Sequence, residues 1–277
     1  MQTIHWFTRP GMFHEQVIVL LNSILDGLYS ESSLIRDMSK KSLHEYVKWS
    51  IKQNTSLDGE KNTPIKSLFR RLFSLWTHPI QSHRSAASMA FNSIYVLFRE
   101  EPSLVEIYTI EIACKVILSI SINKNVECPE SDDTLKHLVR IIVQKRKLFE
   151  GEKQRRRVPF EFPVGSEASL NDFLNWLAQW ITKPNTEVRH KAMEIIYHLS
   201  PNVKSLLQVD ELRSHIANEI KSVSGSVEDM ERIIACLEIS RWLVDQRVVS
   251  FDHLGIDFEA TLTKVLRGND FNATKDP

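Results

Sequence analysis

Three side chains in the second half of the chain could support metal or acid–base chemistry and are spaced so that a helix would align them. His190, Glu194 and His198 stand at positions i, i+4 and i+8, so a helix would place all three on one face. Two imidazoles and a carboxylate form a ligand set that zinc accepts. However, a rise of about 1.5 Å per residue separates His190 from His198 by about 12 Å, too far for one ion. We therefore predict structural roles for these residues and no metal site.

Motifs of the common catalytic and cofactor-binding families are missing from the sequence. There is no GxxxxGK[ST] or GxGxxG loop to hold phosphates. There is also no GxSxG elbow, no HExxH, and no HRD or DFG motif of a protein kinase. His78 and His83 flank a predicted turn, where we expect structural roles. The sequence thus predicts no catalytic residue, no cofactor and no small-molecule substrate.

The most strongly charged stretch is basic and runs from Lys145 to Arg157. Seven basic residues against two acidic ones give it a local charge of +5. Such runs bind phosphate groups or act as nuclear-import signals. The alternative is an ordinary solvated loop between helices, over residues 150–168, made extended by Pro159 and Pro163. The candidate residues for a nucleic-acid or import patch are Lys153, Arg155, Arg156 and Arg157.

The elements that would position these residues are amphipathic helices, most clearly in Ser169–Ser200. One apolar stripe, Phe173, Leu177, Trp180 and Ile181, precedes Pro184, and a second, Val188, Ala192, Ile195, Ile196 and Leu199, follows it. Pro184 ends the first helix because it lacks an amide hydrogen. Asn185 is placed to cap the second helix, with Glu187 near its positive end. Such a hairpin needs neighbours to bury its stripe, which favours a stack of helix pairs.

A short signature repeats at the start of the second helix of several pairs. Pro79, Arg84 and Ala87 have the same spacing as Pro184, Arg189 and Ala192, and Arg36 with Ser39 forms a weaker copy. The arginines are 48 and 105 residues apart, near one and two periods of HEAT or armadillo repeats. We expect the small residue to allow close helix approach and the arginine to pair with acidic groups or carbonyls. An arginine followed by alanine is also common in other helical proteins.

The sequence therefore predicts an all-α fold, a HEAT-like alpha solenoid of about five antiparallel helix pairs. We assign residues 1–266 to the solenoid, with the long basic loop 150–168, and residues 267–277 to a polar tail. Only 8 of 277 residues are glycine, which disfavours all-β and Rossmann-type folds. The apolar residues Ile4, Trp6 and Phe7 at the start suggest a chain cut from a longer solenoid. The predicted helices are His14–Tyr29, Glu31–Gln53, Pro64–Trp76, Ile80–Glu100, Pro102–Ile122, Ser131–Phe149, the two of Ser169–Ser200, Leu206–Val223 and Ser226–Arg247.

Seven longer strings resemble the DNA-dependent protein kinase catalytic subunit family, in the circular-cradle part of its HEAT region. The resemblance runs almost continuously from Ile4 to Tyr197 and fades beyond Ser200. The strings are IHWFT, ILDG, KWSIKQ, KSLFRRLFSLWTHP, ASMAFNSIYVLFREEPSLVE, RRRVPFEFP and PNTEVRHKAMEIIY.

This resemblance implies a scaffold rather than an enzyme. The family is a nuclear serine/threonine kinase that acts with the Ku heterodimer at DNA double-strand breaks, in non-homologous end joining. Its kinase domain is far C-terminal to the matched region, so the chain would be a non-catalytic fragment or truncated homologue. Its partners would be other HEAT repeats and, within the whole assembly, Ku and DNA ends, with no membrane. The basic residues 153–157 match a basic stretch of the family, which implies solvent exposure there.

Two other interpretations remain open. The chain could be a free-standing HEAT-repeat adaptor that binds protein partners. It could also be an enzyme whose site converges only in three dimensions, which motif analysis of one sequence does not detect.

Overall fold

The computed structural model describes residues 14–54, 64–122, 128–150, 156–183, 185–200, 209–221, 227–250 and 263. All regular secondary structure within these ranges is helical, which confirms the predicted all-α, HEAT-like solenoid class. The helices are α1 His14–Leu28, α2 Ser33–Asn54, α3 Pro64–Trp76, α4 Gln81–Glu100, α5 Pro102–Ile122, α6 Pro129–Gln144, α7 Lys147–Glu150, α8 Leu170–Ile181, α9 Thr186–Leu199, α10 Val209–Lys221 and α11 Val227–Asp245.

Most helix boundaries lie within three residues of the prediction, and one helix differs more. The predicted helix Ser131–Phe149 instead ends at Gln144, and the four-residue α7 follows it. The helix starts at Pro64 and Pro102 fall where the sequence placed them, because proline is tolerated in the first helical turn. Ile4, Trp6 and Phe7, and the tail 267–277, lie outside the described residues.

The chain divides into two compact units, Met1–Leu170 and Asn171–Pro277. In the first unit, consecutive helices pack as the pairs α1/α2, α3/α4 and α5/α6. The first helices of the pairs contact each other in one row, and the second helices in another. This two-row stacking of helix pairs is the arrangement of HEAT-like repeats, in which each pair buries its apolar stripe against its neighbours.

A 48-residue repeat is visible in the core of the first unit. Five buried residues of α3 follow five buried residues of α1 by that interval, which also separates Arg36 from Arg84. The equivalent pairs are Val17 and Ile65, Leu21 and Phe69, Ile24 and Leu72, Leu25 and Phe73, and Leu28 and Trp76. The first two helix pairs therefore bury the same positions of one repeat unit.

Helix α5 carries apolar residues around most of its circumference, unlike the amphipathic α3. A helix of this kind is stable only when its whole circumference is covered. Helices α3, α4 and α6 pack against it, and the segment after α7, residues 156–168, supplies further cover. The backbone N–H of Arg157 donates to the carbonyl of Ile107 on α5, at 3.2 Å. The side chain of Phe162 in this segment is buried as well.

The second unit contains α9, α10 and α11 and most of α8. Every residue of the predicted α9 stripe is buried, from Val188 to Leu199. In α8, Phe173, Leu177 and Ile181 are buried, whereas Trp180 is half-buried and lies edge-on to Trp176 at 5.7 Å. The predicted cap of α9 is confirmed, since Asn185 Oδ1 accepts a hydrogen bond from the backbone N–H of Val188 at 3.0 Å. Pro184 lies outside the described residues.

Candidate functional site

The three repeat arginines make the same contacts with the backbone of the preceding turn. Arg36 Nη1 donates to the carbonyls of Ser30 and Glu31, six and five residues earlier, at 2.7 and 2.8 Å. Arg84 Nη1 donates to the equivalent carbonyls of His78 and Pro79, both at 2.7 Å.

Arg189 Nη1 makes the matching contact with the carbonyl of Lys183, at 3.1 Å. Carbonyls near a helix end lack partners within the helix, so each arginine satisfies the turn that joins its pair. Arg84 and Arg189 do this from the interior, at 4% and 1% exposure. The repeat arginines thus join one helix of a pair to the turn that precedes it.

The small residues of the signature lie where helices approach closely. Ser39, Ala87 and Ala192 are all buried. Ser39 lies directly against Gly27 of α1, so that a Cβ on Gly27 would overlap the Ser39 hydroxyl and come within 3.3 Å of its Cβ. The close approach between α1 and α2 therefore depends on both small residues.

Arg189 also anchors a polar cluster on α9 and α11. Its Nη2 donates to Glu238 Oε2 at 2.5 Å and to Thr186 Oγ1 at 3.2 Å. The same Glu238 oxygen lies 3.1 Å from His190 Nε2. Burial alone would raise the pKa of Glu238, but its hydrogen bond with Arg189 and the nearby positive charge keep that pKa below its ordinary value. Glu238 follows Arg189 by 49 residues, close to one repeat, which is the signal that could have indicated it.

The residues first considered as metal ligands have other partners. His190 faces Glu238, Glu194 pairs with Lys191 at 3.4 Å, and the ring of His198 lies edge-on to Tyr197. In the part of the chain that the structure describes, no three His, Cys, Asp or Glu side chains are placed to hold a metal ion. Nor is any described helix long and apolar enough to cross a bilayer.

The histidines at the turn between α3 and α4 pack as stacked rings. His83 stacks on His78 at 4.1 Å and on Tyr29 of the preceding pair at 4.2 Å. Burial and the neighbouring His78 lower the pKa of His83, against an opposing effect of Asp26.

Two of the three cysteines carry thiols of low reactivity. Cys114, Cys128 and Cys236 are free and buried. Burial raises the pKa of Cys114 well above its ordinary value and that of Cys236 to about 11. A buried thiol with a raised pKa carries little of the reactive thiolate.

The expected solvent exposure of the basic stretch is wrong for Arg156. Its side chain is only 3% exposed, and its guanidinium donates to the carbonyls of Leu148 and Glu167, at 2.6 and 3.2 Å. These contacts join Arg156 to α7 on one side and to the end of the segment 156–168 on the other. A guanidinium turned into the fold is not available to a phosphate group. Lys153 and Arg155 lie outside the described residues.

Arg157 is partly exposed but is bound to a carboxylate of α5. Its Nε lies 2.5 Å from Glu111 Oε2 and its Nη2 lies 3.3 Å from Oε1, a two-point contact with a nearly buried acid. Its guanidinium also lies over the rings of Phe73 and Tyr108, at 5.6 and 5.9 Å. Residues 156–168, which we call the strap, are thus held against the helices rather than solvated.

A second ion pair attaches the strap further along α5. Lys115 Nζ lies 2.7 Å from Glu161 Oε1, and both side chains are less than one-fifth exposed. Sequence reasoning missed Glu111 and Lys115 as partners of the strap, because both precede it by 46 residues on a helix that reads as continuously apolar. Two other side chains of the strap point outward, since Phe160 and Val164 are fully exposed.

Comparison with known proteins gives one consistent family. Residues 1–250 match the family model described as DNA-dependent protein kinase catalytic subunit, CC1/2. The chain is 36% identical to the DNA-dependent protein kinase catalytic subunit of Gallus gallus over 95% of its length, and 40% identical to that of Canis lupus familiaris over 73%. A more distant relative of the same name, from Dictyostelium discoideum, is 27% identical over 75% of the chain.

The chain spans a small part of each relative, 7% of the chicken protein, 5% of the dog protein and 6% of the Dictyostelium protein. The match continues beyond Ser200, since the family model extends to residue 250. The alignments with the dog and Dictyostelium proteins, by contrast, cover only 73% and 75% of the chain.

Proposed function

The chain belongs to the DNA-dependent protein kinase catalytic subunit family, and from this premise we propose that it is a non-catalytic scaffold segment of such a kinase. It acts in DNA double-strand break repair by non-homologous end joining, in the nucleus. Within the whole assembly its partners are the other HEAT repeats of the kinase, the Ku heterodimer and DNA ends. The stacked helix pairs of the described residues and the lack of catalytic motifs in the sequence support this proposal.

The observation that carries the scaffold proposal is an apolar face of α2. Leu34, Ile35 and Met38 are 69%, 46% and 61% exposed. The 48-residue repeat equates Ile35 with His83 and Met38 with Ala86. On α4, His83 stacks on Tyr29 of the preceding pair and Ala86 is fully buried.

Helix α2 therefore presents Ile35 at the position with which α4 contacts the preceding pair, and Met38 at a position that is buried in α4. We propose that another helix pair of the parent kinase covers this face, as α1 and α2 cover α4. In a solenoid each repeat is stabilised by its neighbours, so a segment with such a face is built to continue a stack.

The size of the native product tests the premise that the chain works inside a large kinase. An antibody against this chain, used on an extract of its source cells, should detect a band far larger than 32.1 kDa. A band near 32 kDa would instead favour the free-standing adaptor.

Substitution of Ile35 and Met38 by glutamate then tests the proposed stacking. In the parent kinase we expect lower resistance to limited proteolysis and weaker end joining of a linear plasmid. In the isolated chain, where the face is exposed, the urea midpoint should hardly change. Val143→Glu, at another exposed apolar position, is the matched control and should change neither measurement. Equal effects of both substitutions in the parent kinase would argue against a stacking face.

We propose the nucleic-acid role of the basic stretch for Lys153 and Arg155, because Arg156 and Arg157 have partners within the fold. Ala substitution of Lys153 and Arg155 should weaken binding to duplex DNA ends. It should also make the salt dependence shallower, by up to about one unit of slope per lost phosphate contact. Ala substitution of Arg156 or Arg157 should act mainly through stability. Unchanged affinity and slope for the Lys153 and Arg155 variant would remove the DNA role of these residues.

A further inference from the structure

A cavity in the second unit opens between α9 and the end of α11. It is a shallow, open groove with a volume of about 450 Å³, and most of the side chains that line it are half-buried or exposed. One wall is a single face of α9, at positions i, i+3, i+4 and i+7, and the other is the end of α11. The lining residues are His190, Met193, Glu194, Tyr197, Trp242, Asp245 and Gln246.

One wall of this cavity is linked by polar contacts to a buried arginine. Arg189 is fully buried and holds Glu238 at 2.5 Å, and Glu238 in turn lies 3.1 Å from His190. The contact of Arg189 with the carbonyl of Lys183 fixes the start of α9 as well. The His190 side of the cavity is therefore set by the fold before any ligand arrives, which lowers the entropic cost of binding.

The lining combines two carboxylates with two aromatic rings and a thioether. Glu194 and Asp245 carry negative charge, whereas the lining contains no lysine or arginine. Trp242 and Tyr197 bring aromatic rings to the lining, and the faces of such rings attract cations. Carboxylates beside aromatic rings suit a cation that has a flat or apolar surface.

Two cations lie beside the cavity but hold its carboxylates weakly. Lys191 Nζ is 3.4 Å from Glu194, and Arg241 Nε is 3.6 Å from Asp245. Both carboxylates are about half exposed or more, and exposed pairs within one helix stabilise little. An incoming cation can therefore replace either pair at small cost.

We propose that this cavity binds an arginine side chain presented by a basic segment of a partner protein. A guanidinium has the planar shape to stack on Trp242 and the donors to reach Glu194 and Asp245. The proposal concerns a binding partner of the second unit, so its test is independent of the test of the stacking face on α2.

The test measures binding of a fluorescein-labelled peptide, (Arg-Gly)4, to the full chain by fluorescence anisotropy. Its matched control is (citrulline-Gly)4, which has the same shape without the charge. The protein variants are Glu194→Gln and Asp245→Asn. Glu231→Gln is their control, because it removes a charge from an exposed position of α11 outside the cavity.

We expect the arginine peptide to bind and the citrulline peptide to bind far more weakly. Each cavity variant should weaken arginine-peptide binding about fivefold, the scale of one partly exposed ion pair. Glu231→Gln should leave binding within about twofold of the original, as expected of a charge outside the cavity. Equal weakening by Glu231→Gln would show general charge attraction and overturn the proposal. So would equal binding of both peptides, or no binding of the arginine peptide.

Discussion

Arg157 of the strap donates two hydrogen bonds to Glu111 of α5, at 2.5 and 3.3 Å. The two residues are 46 positions apart in the sequence. Glu111 is one of the few charged side chains buried in the described part of the first unit. A carboxylate that is removed from water needs a charged partner, and Arg157 supplies it. Arg157, one residue of the basic stretch, therefore attaches the strap to α5.

Replacing Arg157 by alanine should destabilise the first unit by about 1–3 kcal/mol, the scale of charge-assisted hydrogen bonds to a nearly buried group. The physical reason is that Glu111 would keep its desolvation cost without its partner. Urea unfolding followed by circular dichroism measures the change. Arg241→Ala is the control, since Arg241 is 85% exposed and pairs loosely with Asp245. Equal losses for both variants would mean that the buried pair adds nothing.

Replacing Gly27 by alanine should destabilise the chain, although alanine is favoured over glycine in helices by about 1 kcal/mol. The new Cβ would overlap the hydroxyl of Ser39, and overpacking of this kind costs about 1–3 kcal/mol. Ser39→Ala removes the overlapping atom, so the double variant should be more stable than Gly27→Ala alone. A thermal unfolding series of the two single variants and the double variant measures this coupling. Additive effects would contradict a direct contact between the two residues.

Replacing Arg84 by alanine should be more damaging than replacing Arg36, although both make the same backbone contacts. Arg84 is nearly buried, so its loss would leave the carbonyls of His78 and Pro79 without a donor, at about 2–4 kcal/mol. Arg36 is half-buried, so water can reach its carbonyls, and we expect about 1 kcal/mol. Urea unfolding of the two variants tests the order. A larger loss at Arg36 would contradict the role of burial.

The repeat was predictable because its signals are local. The proline, the arginine and the small residue of one signature lie within nine residues, and the turn that the arginine binds is only five or six residues away. The strap was not predictable, since its partners Glu111 and Lys115 lie on another helix, and a charge run looks the same whether solvated or paired. Glu238 also lies on another helix than its partner Arg189, and only the repeat interval of 49 residues pointed to it. Contacts made within one turn can be read from a sequence, whereas contacts across 46 or 49 residues require the fold.

Lowering the pH from 7.5 to 5.5 should destabilise the first unit through His83 and His137. Burial lowers the pKa of both, helped by His78 in one case and by Arg140 in the other. The unfolded chain has histidine pKa values of about 6.5, so at the lower pH it binds more protons than the folded chain. The stabilisation from the two neutral rings is therefore fully present above about pH 6.5. It is lost as the pH falls through the lowered pKa values of the two histidines.

Urea midpoints at the two pH values measure the loss, and replacing both histidines by glutamine should reduce it. The control His44→Gln removes an exposed histidine and should keep the full loss. The stacking of His137 on Tyr95 at 3.8 Å and of His83 on Tyr29 at 4.2 Å gives the structural reason, because a proton on either ring must be accommodated between packed rings. If the double variant lost as much stability on acidification as the original chain, these two rings would not be the groups that titrate.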